Sequence, residues 1–374
     1  MKKLYSKYMF DWETRMTTRD TNRVVLPFEW GIDWTRDFPV PIAAQGPDLA
    51  AHADDYDAAC EAYLRELNQQ IIANSDVFYS CPTPTDFLLV TRMIPGESKR
   101  SQWLQFTSPV QTPHPVNNTV SARWFPAERD AVLKRKSGPP KKALVLLPHW
   151  NSKPDSYLAL CRIVQKLGIS VLRLSLPYHD SRRPADTQRS DYAVSPNIGR
   201  SIHATRQAVL DTRCCYDWLE QQGYEKFGIM GTSLGSCYAF LTTAHDSRIR
   251  VNAFNHASMH YADVTWTGQS TRYVRQGIER KLDIERLRPL WDSISPVNYF
   301  DKLRNQPKRT LVIYATYDLT FLPEYSRIVV DAFREHQLDH VVKVLPCGHY
   351  STGETPFKFM DGWHIGKFLK TSLR

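Results

Sequence analysis

Lys226-Phe227-Gly228-Ile229-Met230-Gly231-Thr232-Ser233-Leu234-Gly235 is the stretch on which the reading of this chain turns. Its first half is a short apolar run of strand type. Its second half is G-x-S-x-G, and the residues from Ser233 onward read as a helix. A strand that turns at once into a helix leaves no room for bulk two positions either side of the turn's centre, so glycine is needed at 231 and 235. The central serine then projects above the carboxyl edge of a sheet, at a helix N-terminus. There the backbone N–H of Leu234 is placed to stabilise an oxyanion. Ser233 is therefore a candidate nucleophile.

Outward from this point, strand and helix alternate. Upstream, Ala143-Leu144-Val145-Leu146-Leu147 is a continuous apolar strand, as expected of one buried on both faces. A helix is predicted over 154–167, a strand over Val171–Leu176 and a helix over 197–222. Downstream come a strand at Val251–Asn255, a charged helical stretch over 265–305 and a strand at Arg309–Tyr314. A helix over 323–337, a strand at Val341–Leu345 and a closing helix over 355–371 complete the series. Such alternation predicts a mostly parallel sheet with helices on both faces. Before it, residues 76–136 read as β-structure with turns, with strands at Leu88–Val90, Trp103–Phe106 and Thr119–Phe125. Residues 137–142 read as a turn or linker. From 47 to 74 the pattern is helical, with Tyr56, Ala59, Cys60, Tyr63, Leu64, Leu67 and Ile71 on one face. Residues 1–48 otherwise read as irregular.

An activated serine needs a base and an acid that orients the base. Asp318 stands just past the strand 309–314, and His349 just past the strand 341–345. The chain order is thus Ser, Asp, His, each after a later strand, at the carboxyl ends where open α/β sheets hold their sites. Gly348 is expected to let the loop swing the imidazole over the serine. Cys347 is a rival nucleophile, but nothing sets it on a tight turn.

These features resemble the α/β-hydrolase superfamily, in the bacterial esterase and dienelactone-hydrolase-like branch. The resemblance covers about residues 85–374. It implies an eight-stranded sheet with one antiparallel strand near its start, and acyl transfer through a covalent acyl-serine that water then hydrolyses. It also implies a second oxyanion donor in the loop after the first parallel strand. There the family usually has His-Gly, whereas this chain has Pro148-His149-Trp150-Asn151. Trp150 or Asn151 remains as the main-chain donor, and the indole is expected to narrow the acyl pocket. The stretch Leu176–Arg183 sits where similar stretches shape the cleft, so His179 and Arg182 are assigned to the substrate cleft with His149 and His256. His256 and His260 lie four apart, but no acid completes H-E-x-x-H spacing, so no metal is expected. No cofactor is needed. The division expected is an N-terminal extension over 1–80 with one amphipathic helix, and a catalytic domain over 81–374. Within it, 261–300 is a candidate helical cap over Ser233.

The substrate expected is a small-molecule acyl ester. The alternatives are a thioester or acyl-transfer substrate, a peptide, or a catalytically silent binding protein of the same fold. The net charge of +9 comes from basic residues spread along the chain among acidic ones, with no nucleic-acid motif, so no nucleic-acid partner is expected. There are 7 Cys without CxxC spacing, which fits a reducing compartment. The basic N-terminus is followed by no apolar run of signal or membrane-span length, so a cytoplasmic location is expected. Oligomeric state is not legible.

Overall fold

A computed structural model describes residues 2–19, 23–41, 55–94, 100–128 and 140–374. The start of the expected helix before residue 55 and the linker residues 137–139 lie outside them. The described strands are β1 Leu88–Arg92, β2 Ser101–Thr107, β3 Thr119–Phe125, β4 Lys141–Leu147, β5 Ser170–Leu174, β6 Tyr224–Thr232, β7 Ile249–Asn255, β8 Arg309–Ala315 and β9 His340–Leu345. They form one sheet in the order β1-β2-β3-β5-β4-β6-β7-β8-β9. From β5 to β9 every pairing is parallel, while β1, β2 and β3 pair antiparallel, and β3 joins β5 antiparallel. This is the α/β-hydrolase fold. The sheet has nine strands rather than eight, because β1 adds a hairpin partner outside β2.

The apolar strand read as buried on both faces is so. On β4, Ala143, Val145 and Leu147 enter one core cluster and Leu144 and Leu146 the other. The first cluster lies under helices Tyr56–Ala73, Ile198–Gln221 and Leu234–His245. The second lies under helices Leu158–Lys166 and Phe357–Ser372. Asn197 caps the helix Ile198–Gln221 by accepting from Arg200 N–H at 2.8 Å.

The amino-terminal residues depart from their reading. Lys2–Thr18 is a helix, not irregular chain, and so residues 1–80 hold more than one helix. Its buried stripe is Met9, Glu13 and Thr17, spaced by four. Two of those three are polar, and Leu4, Tyr5, Tyr8 and Phe10 are exposed, so no apolar period betrays it. Helix Tyr56–Ala73 packs beneath the 261–300 stretch. Asn68 donates to Leu290 O at 2.9 Å and accepts from Ser293 N–H at 2.9 Å. That stretch comprises short helices at Tyr261–Thr267, Arg272–Ile278 and Ile284–Leu290. No helix among the described residues is long and apolar enough to cross a membrane. No disulfide joins the cysteines.

Candidate active site

Ser233 sits between β6 and helix Leu234–His245 with φ 57° and ψ −122°. An L residue holds such a conformation only where its surroundings over-determine it. The two glycines show how. A Cβ on Gly231 would lie 2.0 Å from Gly235 O, and one on Gly235 would lie 2.3 Å from Leu147 O. Ser233 N–H donates to Asn255 O at 2.8 Å, tying the turn to β7.

The loops after β8 and β9 bring the two partners to the serine. His349 Nε2 lies 3.0 Å from Ser233 Oγ, and its Nδ1 lies 2.9 Å from Asp318 Oδ2. Thr316 N–H to Leu345 O and Tyr317 N–H to Cys347 O, both 2.9 Å, carry the β8–β9 ladder into these loops and hold them in register. Asp318 Oδ1 accepts the backbone N–H of Thr320 at 2.8 Å and of Phe321 at 2.7 Å. Burial alone would push the Asp318 carboxyl up. The charge on His349 and the hydrogen bonds from His256 and His349 outweigh it and hold the group well below the usual carboxylate range. For His349, burial pulls down and the Asp318 carboxylate pulls up. The carboxylate prevails, leaving the imidazole above its ordinary 6.5. The Phe321 ring stacks on His349 at 5.3 Å, with the planes 8° apart.

Asp318 holds a second imidazole. His256 Nδ1 lies 2.8 Å from the same Oδ2, and the two rings are 4.5 Å apart. His256 is thus buried against the acid and does not line the substrate cleft. His260, four residues on, lines it instead. The donor atoms of His256, Asp318 and His349 lie within 4.8 Å of one another, a spacing a metal ion could share. Each imidazole faces the carboxylate at hydrogen-bond distance, however, which accounts for the spacing without a metal.

As the first residue of its helix, Leu234 has an N–H with no intrahelical acceptor. The alternatives for the second oxyanion donor separate. Asn151 N–H is spent on His179 Nε2 at 3.1 Å. His179 in turn lies 2.8 Å through Nδ1 from Pro177 O, and burial lowers its pKa to about 4. It is a neutral strut under the loop, not a cleft residue. Of the two main-chain groups, that leaves the Trp150 N–H as the candidate. Arg182 is also withdrawn from the cleft. It is buried on Asp211 at 2.8 Å and donates to Asn117 O and Ser175 O. His149 contacts Tyr157 Oη at 2.7 Å through Nδ1 and does not line the cavity.

The buried face of the first helix reaches the site. Glu13 accepts from Tyr350 N–H at 2.7 Å, Ser351 N–H at 3.0 Å and Ser351 Oγ at 2.9 Å. It fills the space against Gly348, where a Cβ would lie 2.3 Å from its Cδ. Gly348 is outside the left-handed region, so it gives room for Glu13 rather than freedom for the loop to swing. Tyr5 donates to Pro346 O at 2.6 Å, and Phe10 meets Tyr317 edge-on at 5.1 Å. One helix thereby braces the loops of both Asp318 and His349.

Ser233 opens on a cavity of about 50 Å³. Trp150, Val194, Leu234, Tyr261, Val264 and Phe321 give it apolar walls, and among the described residues no Asp, Glu, Lys or Arg lines it. The 261–300 stretch supplies one side.

Residues 156–316 match the family described as alpha/beta hydrolase domain containing 18. No curated protein matches the chain. Among solved structures the chain is similar to acetyl xylan esterase 1 from Thermoanaerobacterium sp. JW/SL YS485. The TM-score is 0.55 at 16% identity, covering 93% of this chain and 99% of that one. It is also similar to the acetyl xylan esterase from Paenibacillus sp. R4, with a TM-score of 0.52 at 12% identity over 90% and 98%. Pyrococcus horikoshii acylaminoacyl peptidase gives 0.52 at 11% identity, where 80% of this chain spans only 44% of the peptidase. At these identities the likeness is one of fold, the α/β-hydrolase fold.

Proposed function

We propose that the chain is a serine hydrolase that cleaves carboxylic esters of compact, uncharged acyl groups. The observation that carries this reading is the unbroken contact from Ser233 Oγ through His349 to Asp318, opening on an apolar cavity. Ser233 Oγ attacks the ester carbonyl while its proton passes to His349 Nε2. Asp318 holds the imidazole by Nδ1–H and stabilises its charged form. The N–H groups of Leu234 and Trp150 receive the oxyanion. As the intermediate collapses, His349 returns the proton to the departing alcohol. Water then attacks the acyl-serine with the same histidine as base, releasing the acid and restoring Ser233.

Cavity size argues for the acyl class. A water-sized group needs about 10–15 Å³ of such volume, so 50 Å³ holds roughly three to five of them. Trp150, with Nε1–H donated to Ser190 O at 2.9 Å, closes the space. The lack of Asp, Glu, Lys and Arg among the described lining residues disfavours an ionised acyl chain.

The test is labelling with a fluorophosphonate, with the adduct located by mass spectrometry in the wild type and in Ser233→Ala, followed by a p-nitrophenyl acetate, butyrate and octanoate series. A single adduct on Ser233 and kcat/KM falling with chain length are expected. A folded protein without an adduct on Ser233 overturns the hydrolase reading, and a preference for octanoate overturns the size limit.

A further inference from the structure

His256 is an unusual group to find behind an aspartate that already serves a histidine. It follows β7 directly, with φ 54°, a left-handed backbone for a non-glycine residue. Its N–H donates to Ile313 O at 2.8 Å, and its carbonyl accepts Ser236 Oγ at 3.0 Å. The residue is therefore pinned between β8 and the helix that carries Ser233. Its side chain is 1% exposed, and Nε2 has no hydrogen-bond partner among the described residues.

That last fact chooses the tautomer. A proton on Nε2 would be buried without an acceptor, whereas a proton on Nδ1 meets Asp318 Oδ2 at 2.8 Å. Protonating both nitrogens would place a buried cation against the His349 ring. His256 is therefore the neutral Nδ1–H form. Asp318 then accepts four donors: two backbone N–H on Oδ1, and two imidazole N–H on Oδ2. This fills the acceptor capacity of a carboxylate. The oxygen that orients His349 is shared equally, with partners at 2.8 and 2.9 Å.

We propose that His256 is a positioning residue of the Ser233 site. Its Nδ1–H takes up half of Asp318 Oδ2, fixes the plane of the carboxylate, and limits how tightly Asp318 holds the charged form of His349. This rests on the proposed hydrolase reading for its relevance to catalysis, though the shared carboxylate itself does not. Without His256, Asp318 is a stronger acceptor for His349 and is free to turn. The imidazole then takes its proton at higher pH and is a base over a narrower range. The other titratable groups facing this cluster are Glu13, which acts on His349, His149, which feels both imidazoles, and Cys347, a buried thiol that faces Asp318. Glu13 is separately bonded to the Tyr350 and Ser351 loop. His149 is buried and lowered to about 3. All three stay in place in the His256 variants, so comparing those variants with wild type isolates the loss of His256.

The test uses the full chain with 15N-labelled histidine, titrated by NMR as wild type, His256→Asn and His256→Ala. Asparagine tolerates the left-handed backbone and can donate Nδ2–H from near the Nδ1 position. His256 is expected as the Nδ1–H tautomer, unprotonated across the range. The His349 midpoint should stay close to wild type in His256→Asn and rise by about half to one pH unit in His256→Ala. Fluorophosphonate labelling of Ser233 across the same pH range should follow the His349 midpoint in each variant. An Nε2–H tautomer, a His256 that titrates, or a His349 midpoint unmoved in a folded His256→Ala overturns the proposal. If the alanine variant does not fold, the wild-type tautomer and the His256→Asn midpoint decide. Expected NMR behaviour with no labelling of wild type sinks the hydrolase reading and leaves the shared carboxylate standing.

Discussion

Replacing Glu13 with alanine removes the acceptor to which three groups of the His349 loop are bonded, from a helix at the other end of the chain. Two of those groups are backbone N–H, of Tyr350 and Ser351, and neither can turn to water without moving the loop. A buried donor left unpaired costs about 1–3 kcal/mol, so the pair costs about 2–6 kcal/mol. Part of this is returned, because burial of the carboxyl, which pushes the Glu13 pKa up, is itself unfavourable. A net loss of about 2–3 kcal/mol follows, and at about 1.4 kcal/mol per factor of ten the docked-to-undocked ratio of the loop falls roughly 30- to 150-fold. The assay is kcat for p-nitrophenyl acetate beside a thermal melt. Glu13→Ala should lose kcat by at least tenfold with a fall in Tm, and Glu13→Gln, which keeps one acceptor oxygen, should lie between. Gly348→Ala should reproduce the effect from the opposite side, since its Cβ would meet Glu13 Oε2 at 2.3 Å. An alanine variant with wild-type kcat and Tm would refute the idea that the first helix braces the site.

Four further outcomes follow from the same geometry. Because Asp318 raises the His349 pKa above 6.5, the base form is lost as pH falls, so the acid limb of kcat/KM should have its midpoint above 6.5; a midpoint below that value contradicts it. Asp318→Asn should cut kcat by about 10⁴. The depressed Asp318 carboxyl also adds stability that is present above an unfolded pKa of about 3.9 and lost as pH falls, so wild type should lose Tm below about pH 4 more steeply than the variant. Trp150→Ala should enlarge the acyl cavity and raise kcat/KM for p-nitrophenyl octanoate relative to acetate; an unchanged ratio would show that Trp150 does not set the limit.

What could be read from sequence and what could not divides along physical lines. Strand β4 was legible because burial on both faces leaves an unbroken apolar run, the later strands because short apolar runs alternate with helical stretches, and the turn at Ser233 because steric crowding demands glycine at 231 and 235. Asp318 and His349 were legible through their order and their places after strands. Glu13 was not, since a carboxylate and a threonine on the buried stripe of Lys2–Thr18 look like a solvated helix face. Nor was the role of His256: spacing placed it near His260 as a cleft residue, whereas its left-handed backbone turns the ring into the sheet toward Asp318. Arg182 and His179 look like cleft residues by position. Only their buried partners, Asp211 and the Asn151 N–H, show them to be supports.

The bracing of residue 349 by residue 13 also sets a schedule. Glu13 and Tyr350 are 337 positions apart, and at about 5–20 residues per second of synthesis the first helix waits roughly 20–70 s for the loop it must hold. During that interval Glu13 has no Tyr350 or Ser351 N–H to accept. Contacts closed over such a span are among the slowest to form, so assembly of the site belongs to the last stage of folding. A nascent chain halted before β9 could carry most of the sheet and a finished turn at Ser233, and still be inert.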